Sequence, residues 1–184
     1  MLAKTRRTLL AVFAFLLALL VAGPAASAQD AHIQVRTVYY NSNGAAEFKD
    51  AVDAGAKVWN DTVKNVKLVK GSPSTVTIVA DNGWPRAQPR GLGAGTIWMG
   101  RQAVNEGHDT IRIAAHELGH IFGLPDRRTG LCEDLMSGAS AGTSCKNPKP
   151  NAAEAAEVER NFANGFSTQV TPGVLLTEEP LSVR

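Results

Sequence analysis

Cysteine is scarce: the 184 residues hold two. That excludes a disulfide-dense small fold and a four-cysteine zinc site. Excess charge of one sign is missing too, with 19 basic and 17 acidic residues. A basic nucleic-acid-binding surface is therefore excluded as the main feature. No apolar run reaches the roughly 20 residues a membrane-spanning helix needs; the longest, residues 9–22, has 14. A wholly disordered chain is excluded in turn by a hydrophobic content of 44%.

The apolar run has a setting. Lys4, Arg6 and Arg7 precede it, Gly23 and Pro24 end it, and Ala26-Ser27-Ala28 has the small-x-small form that signal peptidases cut. Residues 1–28 thus read as an export signal. Thr5-Arg6-Arg7-Thr8-Leu9-Leu10 also resembles a twin-arginine signal, and the two export routes stay open. Cleavage after Ala28 leaves 156 residues, enough for one domain with its own core. The signal takes three basic residues and no acidic ones, so the mature chain carries −1 rather than +2. An exported chain meets an oxidising compartment, where Cys132 and Cys145 are expected as a disulfide. By loop entropy, closing about 14 residues stabilises the fold by about 3 kcal/mol. Metal ligation by the same pair would need further soft ligands nearby.

Alternation over 32–40, with Ile33, Val35, Thr37 and Tyr39 on one face, predicts a strand. Asn41 to Gly44 follows as a turn. Phe48, Val52, Ala56, Trp59 and Val63 recur at three- and four-residue spacing, predicting an amphipathic helix over 45–63. Val66 and Leu68 suggest a second strand and residues 75–80 a third, joined by the turn Gly71-Ser72-Pro73-Ser74. Residues 82–95 hold four glycines and two prolines and read as a long irregular loop. A short strand is expected at 96–99. A helix is expected over 110–123, with Ile111, Ala114, Ala115, Leu118 and Phe122 as apolar members. A turn-rich stretch follows at 130–150, then a last helix over 151–162 capped by Asn151. Residues 29–165 would form the domain, and 166–184 a loosely held tail.

The chemistry concentrates in Ala115-His116-Glu117-Leu118-Gly119-His120-Ile121-Phe122-Gly123-Leu124-Pro125-Asp126. On a helix, positions i and i+4 share a face, so His116 and His120 can offer ring nitrogens to one metal ion. Glu117 lies about 100° further round, placed to reach a metal-bound water without ligating. Gly123 permits a left-handed helix end, and Pro125 prevents continuation. The chain can then return Asp126 toward the metal as a third ligand; an oxygen beside two imidazoles suits zinc, and three protein ligands leave one position open. Glu133 and Asp134 compete for that third place at a less usual spacing. His32 and His108 lie outside the motif. No cysteine precedes the motif in this sequence, so it supplies no thiol for propeptide latency on zinc. Downstream, Asp134-Leu135-Met136-Ser137-Gly138 resembles the methionine turn beneath the zinc of metzincin peptidases.

With these residues in place, the chain resembles the snapalysin family of small secreted zinc endopeptidases of streptomycetes. The resemblance runs from Val35 to Gly165. It includes Trp59-Asn60, the two cysteines and Asn147-Pro148-Lys149-Pro150-Asn151. It implies an α+β, zincin/metzincin-like domain: a small twisted mixed sheet packed with an N-terminal helix, an active-site helix and a C-terminal helix. It implies zinc on His116, His120 and Asp126, Glu117 as general base, a Cys132–Cys145 disulfide, Met136 in the methionine turn and a calcium ion near Asp109. It also implies a preference for aromatic residues on the primed side of the scissile bond, and residues 96–99 as the edge strand that pairs with substrate. The expected protein is a secreted bacterial monomer acting on proteins or peptides, with no nucleic-acid partner and no membrane attachment once the signal is cut. One position departs from the family. Arg128 stands where the family has a tyrosine near the metal. Arg128 then substitutes as a cation at the oxyanion, or the role is lost. Trp98 and Trp84 are further candidates to line the cleft. The competing functions are a zinc-binding interaction module without catalysis, and a zinc amidase acting on non-protein amides.

Overall fold

The computed structural model describes residues 34–163 and 172–178. The export segment 1–28, His32 and Ile33 lie outside them, as do 164–171 and 179–184.

A six-stranded mixed sheet organises the domain. Its strands are β1 (Arg36–Gly44), β2 (Val66–Lys70), β3 (Val76–Asp81), β4 (Arg86–Gly91), β5 (Ala94–Gly100) and β6 (Leu176–Thr177). They lie in the order β2-β1-β3-β5-β4-β6. Neighbours from β2 to β5 run parallel, while β4 is antiparallel to both β5 and β6. The helices are α1 (Lys49–Thr62), α2 (Arg101–Asn105), α3 (Thr110–Ile121) and α4 (Ala152–Ala163). Short 3-10 turns lie at Ala46–Phe48 and Leu135–Ala141.

The expected stripe of α1 is its buried face: Val52, Ala56 and Trp59 are buried, flanked by Phe48 and Val63. It packs on α3 so closely that a Cβ on Gly55 would lie 2.9 Å from the Ala115 nitrogen. The Trp59 indole donates to the Ala115 carbonyl at 2.8 Å across the same contact. Trp59, Phe122 and Phe162 meet edge to face, with centroids 5.4 and 5.3 Å apart. This aromatic column ties α1, the end of α3 and α4 together. Asn151 caps α4 as expected, accepting from the Glu154 amide at 2.8 Å while Glu154 accepts from the Asn151 amide at 2.7 Å.

Several expectations are corrected. β1 starts at Arg36 and runs through the expected turn to Gly44. Its buried face is Val38, Tyr40 and Ser42, the opposite parity from the one read, and Val35 and Tyr39 are exposed. The apparent loop 82–95 contains β4, which forms a hairpin with β5. Residues 96–99 therefore sit inside the sheet; the strand facing the cleft is β4. Trp98 leaves the cleft with them. Ile97 and Met99 point into the core, and Trp98 points to the other face, where the Arg86 guanidinium lies 4.7 Å from its ring centroid. On α3, Ile111 is exposed and Arg112 is buried. The tail, expected loose from 166 on, is held over 172–178 by β4.

Candidate metal centre

Helix α3 begins at Asp109, whose side chain accepts from the Arg112 amide at 2.9 Å, an N-cap that sets the helix register. Four residues apart, His116 and His120 project from one face, both buried. The helix stops because Gly123 adopts φ +90°, a conformation open to glycine. Leu124 then turns its carbonyl back toward His120, and Asp126 reaches the same point from outside the helix.

Three side chains converge. His116 Nε2 lies 2.9 Å from His120 Nε2 and 3.2 Å from Asp126 Oδ1. The distance from His120 Nε2 to Asp126 Oδ1 is 3.7 Å. Four-coordinate zinc with bonds of about 2.0–2.1 Å sets its donors about 3.3 Å apart, so the spacing fits that ion. The far nitrogens are committed elsewhere: His116 Nδ1 faces the Leu135 carbonyl at 3.0 Å, and His120 Nδ1 faces the Leu124 carbonyl at 2.8 Å. Each N–H donated there leaves an Nε2 lone pair aimed inward. Lone pairs thus meet with no donor among them. Among the described residues, the buried side-chain oxygens without a hydrogen-bond partner are both of Glu117, Asp126 Oδ1, Glu178 Oε1 and, elsewhere, Ser42 Oγ.

The field favours positive charge. Burial alone would lower the pKa of His116, but the Glu178 charge and the Asp126 and Glu178 carboxylates outweigh it and hold it well above the ordinary value. Burial and the neighbouring His116 charge push His120 down to about 4. Burial lifts Glu117 well above the usual carboxylate range, against the pull of His116. Burial would also raise Asp126, yet its contact with His116 leaves it lowered. A divalent cation satisfies such a set better than one proton.

The floor of the site is the turn around Met136. A Cβ on Gly119 would lie 2.7 Å from Met136 Sδ, so the thioether fits against α3 because that position has no side chain. Glu154 of α4 is buried and accepts from the Leu135 and Met136 amides at 3.1 and 2.7 Å. Arg112 binds this wall from α3. Its guanidinium donates to the carbonyls of Cys132, Asn147, Asp134 and Leu135 at 3.2, 2.5, 2.7 and 3.3 Å. Cys132 and Cys145 are disulfide-bonded within the same stretch.

The remaining expected residues fall as follows. Arg128, at φ +47°, donates to Asp126 Oδ2 at 3.2 Å and to the Thr177 carbonyl at 2.7 Å. Asp134 accepts from Thr129 and Asn151, and Glu133 is exposed; neither joins the cluster. His108 packs its ring on Trp84, and both line a pocket that reaches His116. Asp109 serves as the helix cap, and no cluster of candidate metal ligands among the described residues includes it. Sequence reasoning missed three residues at the site: Arg112, Glu154 and Glu178. An Asn-x-x-Glu capping pattern at 151–154 was the available signal for Glu154. Glu178 had none, being far along the chain in a stretch without periodicity. Its Oε1 lies 2.5 Å from His116 Nε2, and it forms a second three-residue cluster with His116 and Glu117.

The extracellular small neutral protease of Streptomyces sp. (strain C5) is 40% identical over 134 residues, covering 71% of this chain and 58% of that protein. The one from Streptomyces caespitosus is 40% identical over 131 residues, covering 70% of this chain and 98% of that protein. The chain thus spans under two thirds of the first of these. A crystal structure of an archaemetzincin from Methanopyrus kandleri aligns with 72% of this chain and 97% of its own, at 13% identity and a TM-score of 0.46. The model of the Streptomyces extracellular neutral proteinase (M7) family matches residues 35–165, and the chain belongs to that family.

Proposed function

We propose that this chain is a secreted bacterial zinc endopeptidase, acting as a monomer, in which His116, His120 and Asp126 hold the metal and Glu117 moves the proton. The observation that carries the reading is the convergence of two imidazole lone pairs and a carboxylate oxygen on one buried point without a donor. Zinc bound there supplies Lewis acidity toward the peptide carbonyl and lowers the pKa of its water toward about 7. Glu117 neighbours His116 on the helix, and both its oxygens are free of partners. It accepts the proton of the attacking water and passes it to the leaving amine. Burial raises its proton affinity, which suits a group that must hold the proton between the two transfers. Strand β4 offers main-chain groups to an extended substrate. The pocket beside His116, lined by Trp84, His108, Ile113, Gly138, Ala139 and Glu178, has room for about one water with Glu178 in place, so a substrate side chain would enter it only with that carboxylate displaced. An aromatic one on the primed side is what kinship leads us to expect. The similar Streptomyces proteins are extracellular proteases, and together with the export pattern of residues 1–28 they support a site of action outside the cell. Calcium has no place in the proposal, since Asp109 caps α3.

The experiment is peptide or casein hydrolysis by the mature protein, abolished by a chelator and restored by zinc, beside Glu117→Gln with its zinc content measured. Glu117→Gln should keep its zinc and lose about 10²–10⁴-fold in turnover. Full zinc with near-parental proteolysis would refute the role of Glu117. Turnover confined to non-peptide amides would favour the amidase reading.

A further inference from the structure

The C-terminal segment lies where a substrate would. Leu176 and Thr177 pair antiparallel with Ala87 and Arg86 on the cleft side of β4. The Gly173 amide donates to the Pro89 carbonyl at 2.9 Å and the Glu178 amide to the Pro85 carbonyl at 3.0 Å. Gln88 reaches the Gly173 carbonyl at 3.0 Å, and Arg128 reaches the Thr177 carbonyl from the opposite wall at 2.7 Å. Strand addition with main-chain bonds on both sides is how an extended peptide is recognised at a sheet edge.

The last described residue then turns into the metal centre. The Glu178 side chain is 5% exposed. One oxygen lies 2.5 Å from His116 Nε2, and the other accepts from the Ala139 amide at 2.7 Å. Room for it comes from Gly138, where a Cβ would lie 2.7 Å from Glu178 Oε2. Burying a carboxylate in this way is costly unless a positive charge meets it. The carboxylate groups with His116 and Glu117 rather than with His120 and Asp126, so it stands beside the proton-moving Glu117 and outside the set of three donors.

We propose that residues 172–178 are a built-in occupant of the substrate cleft, with the Glu178 carboxylate set beside His116 and Glu117 where the attacking water would stand. The proposal rests on the metal-site reading above. The carboxylate takes the place of the attacking water, and the strand takes the place of the peptide, so the full chain is latent until the segment is displaced. Arg128 gains a role as well: it positions a carbonyl on the strand in the cleft, first the tail's and then the substrate's.

The test compares the full mature chain, Glu178→Ala, and a chain ending at residue 171. Zinc affinity is measured by chelator competition, peptide hydrolysis is measured per bound zinc, and amide exchange is followed at Gly173. A short tether gives an effective concentration near millimolar, so a segment that binds as a free peptide at about 0.1 mM is held closed about tenfold. Both variants should therefore hydrolyse peptide about tenfold faster than the parent. Zinc affinity should not fall in either variant, since the three donors remain, and the Gly173 amide should lose protection in Glu178→Ala. A merely structural role would lower affinity and turnover together. One tightly bound zinc in all three chains, with equal affinity and equal turnover, overturns the proposal and leaves the metal-site reading intact. A parent chain that binds no zinc overturns that reading and this proposal with it. One zinc in every chain with no hydrolysis by any overturns the proposed activity and the latency with it.

Discussion

Gly55→Ala tests whether the α1–α3 contact holds the metal centre in position. In an isolated helix the change is favourable by about 1 kcal/mol, because alanine is the better helix former. Here the added methyl carbon would lie 2.9 Å from the Ala115 nitrogen, 3.0 Å from Ala114 Cβ and 3.1 Å from the Ala114 carbonyl carbon. Those atoms belong mostly to backbone, so no rotamer change relieves the clash. Reaching an ordinary contact requires α3 to retreat by about half an ångström. The Trp59–Ala115 hydrogen bond, now 2.8 Å, spans the same gap and would lengthen with it. Overpacking of this kind costs about 1–3 kcal/mol; less the helix gain, the net effect is a destabilisation of up to about 2 kcal/mol, or up to about 8 °C in Tm. The shift falls one residue before His116. Metal geometry tolerates about 0.2 Å, so zinc affinity should fall about tenfold, as when a positioning partner is lost. Thermal melts with and without chelator, together with chelator competition for zinc, measure both quantities. A variant more stable than the parent by about 1 kcal/mol, with unchanged zinc affinity, would show that helix propensity alone governs the site and would refute the reasoning.

Two further outcomes follow from side chains near the site. Glu154→Ala strips the acceptor from the Leu135, Met136 and Asn151 amides and should cost about 3 kcal/mol in urea denaturation, since bonds to a charged group are worth about 1.5–3 kcal/mol each; a loss under about 1 kcal/mol would mean that the turn around Met136 holds itself. Asp81 accepts from Arg86, and this bond is the largest reason its carboxyl lies below the ordinary carboxylate value. A depressed folded pKa contributes stability above the unfolded value of about 4, and that contribution is lost as pH falls through the folded value. The stability gap between parent and Asp81→Asn should therefore be full at pH 7 and shrink below about pH 4; a gap that stays constant from pH 7 to 3 would remove the ion pair from the explanation.

What the sequence made legible follows physical rules. Helix α1 was readable because it has an apolar stripe against one partner face, and α3 because its apolar run is long enough for a helix and is buried nearly all round. The metal motif was readable because its spacing is local: His116 and His120 need one helix, and Asp126 needs one glycine to turn. Strand β4 was hidden because Pro89 and two arginines obscure the alternation, and a strand on the cleft side tolerates such residues. The parity of β1 was misread because Val35 and Tyr39 are apolar yet exposed, while Ser42 is buried. Arg112 looked like a solvated residue of α3, and only the fold brings four carbonyls to it. Glu178 lies beyond any local pattern, since its partners are 39 to 93 residues away in sequence.

On the proposed reading, strand β4 keeps one side of its backbone for peptide, and the same property would let chains stick to one another. An open strand with unpaired main-chain groups is a template for aggregation. Here Pro89 has no N–H to offer, Arg86 and Arg90 place charge along the strand, and the far border of the sheet, β2, carries the exposed Lys67 and Lys70. Residues 172–178 cover what remains of β4. A chain that has shed them would bind strand-like peptides more freely, and would depend on those arginines and that proline to stay monomeric at high concentration.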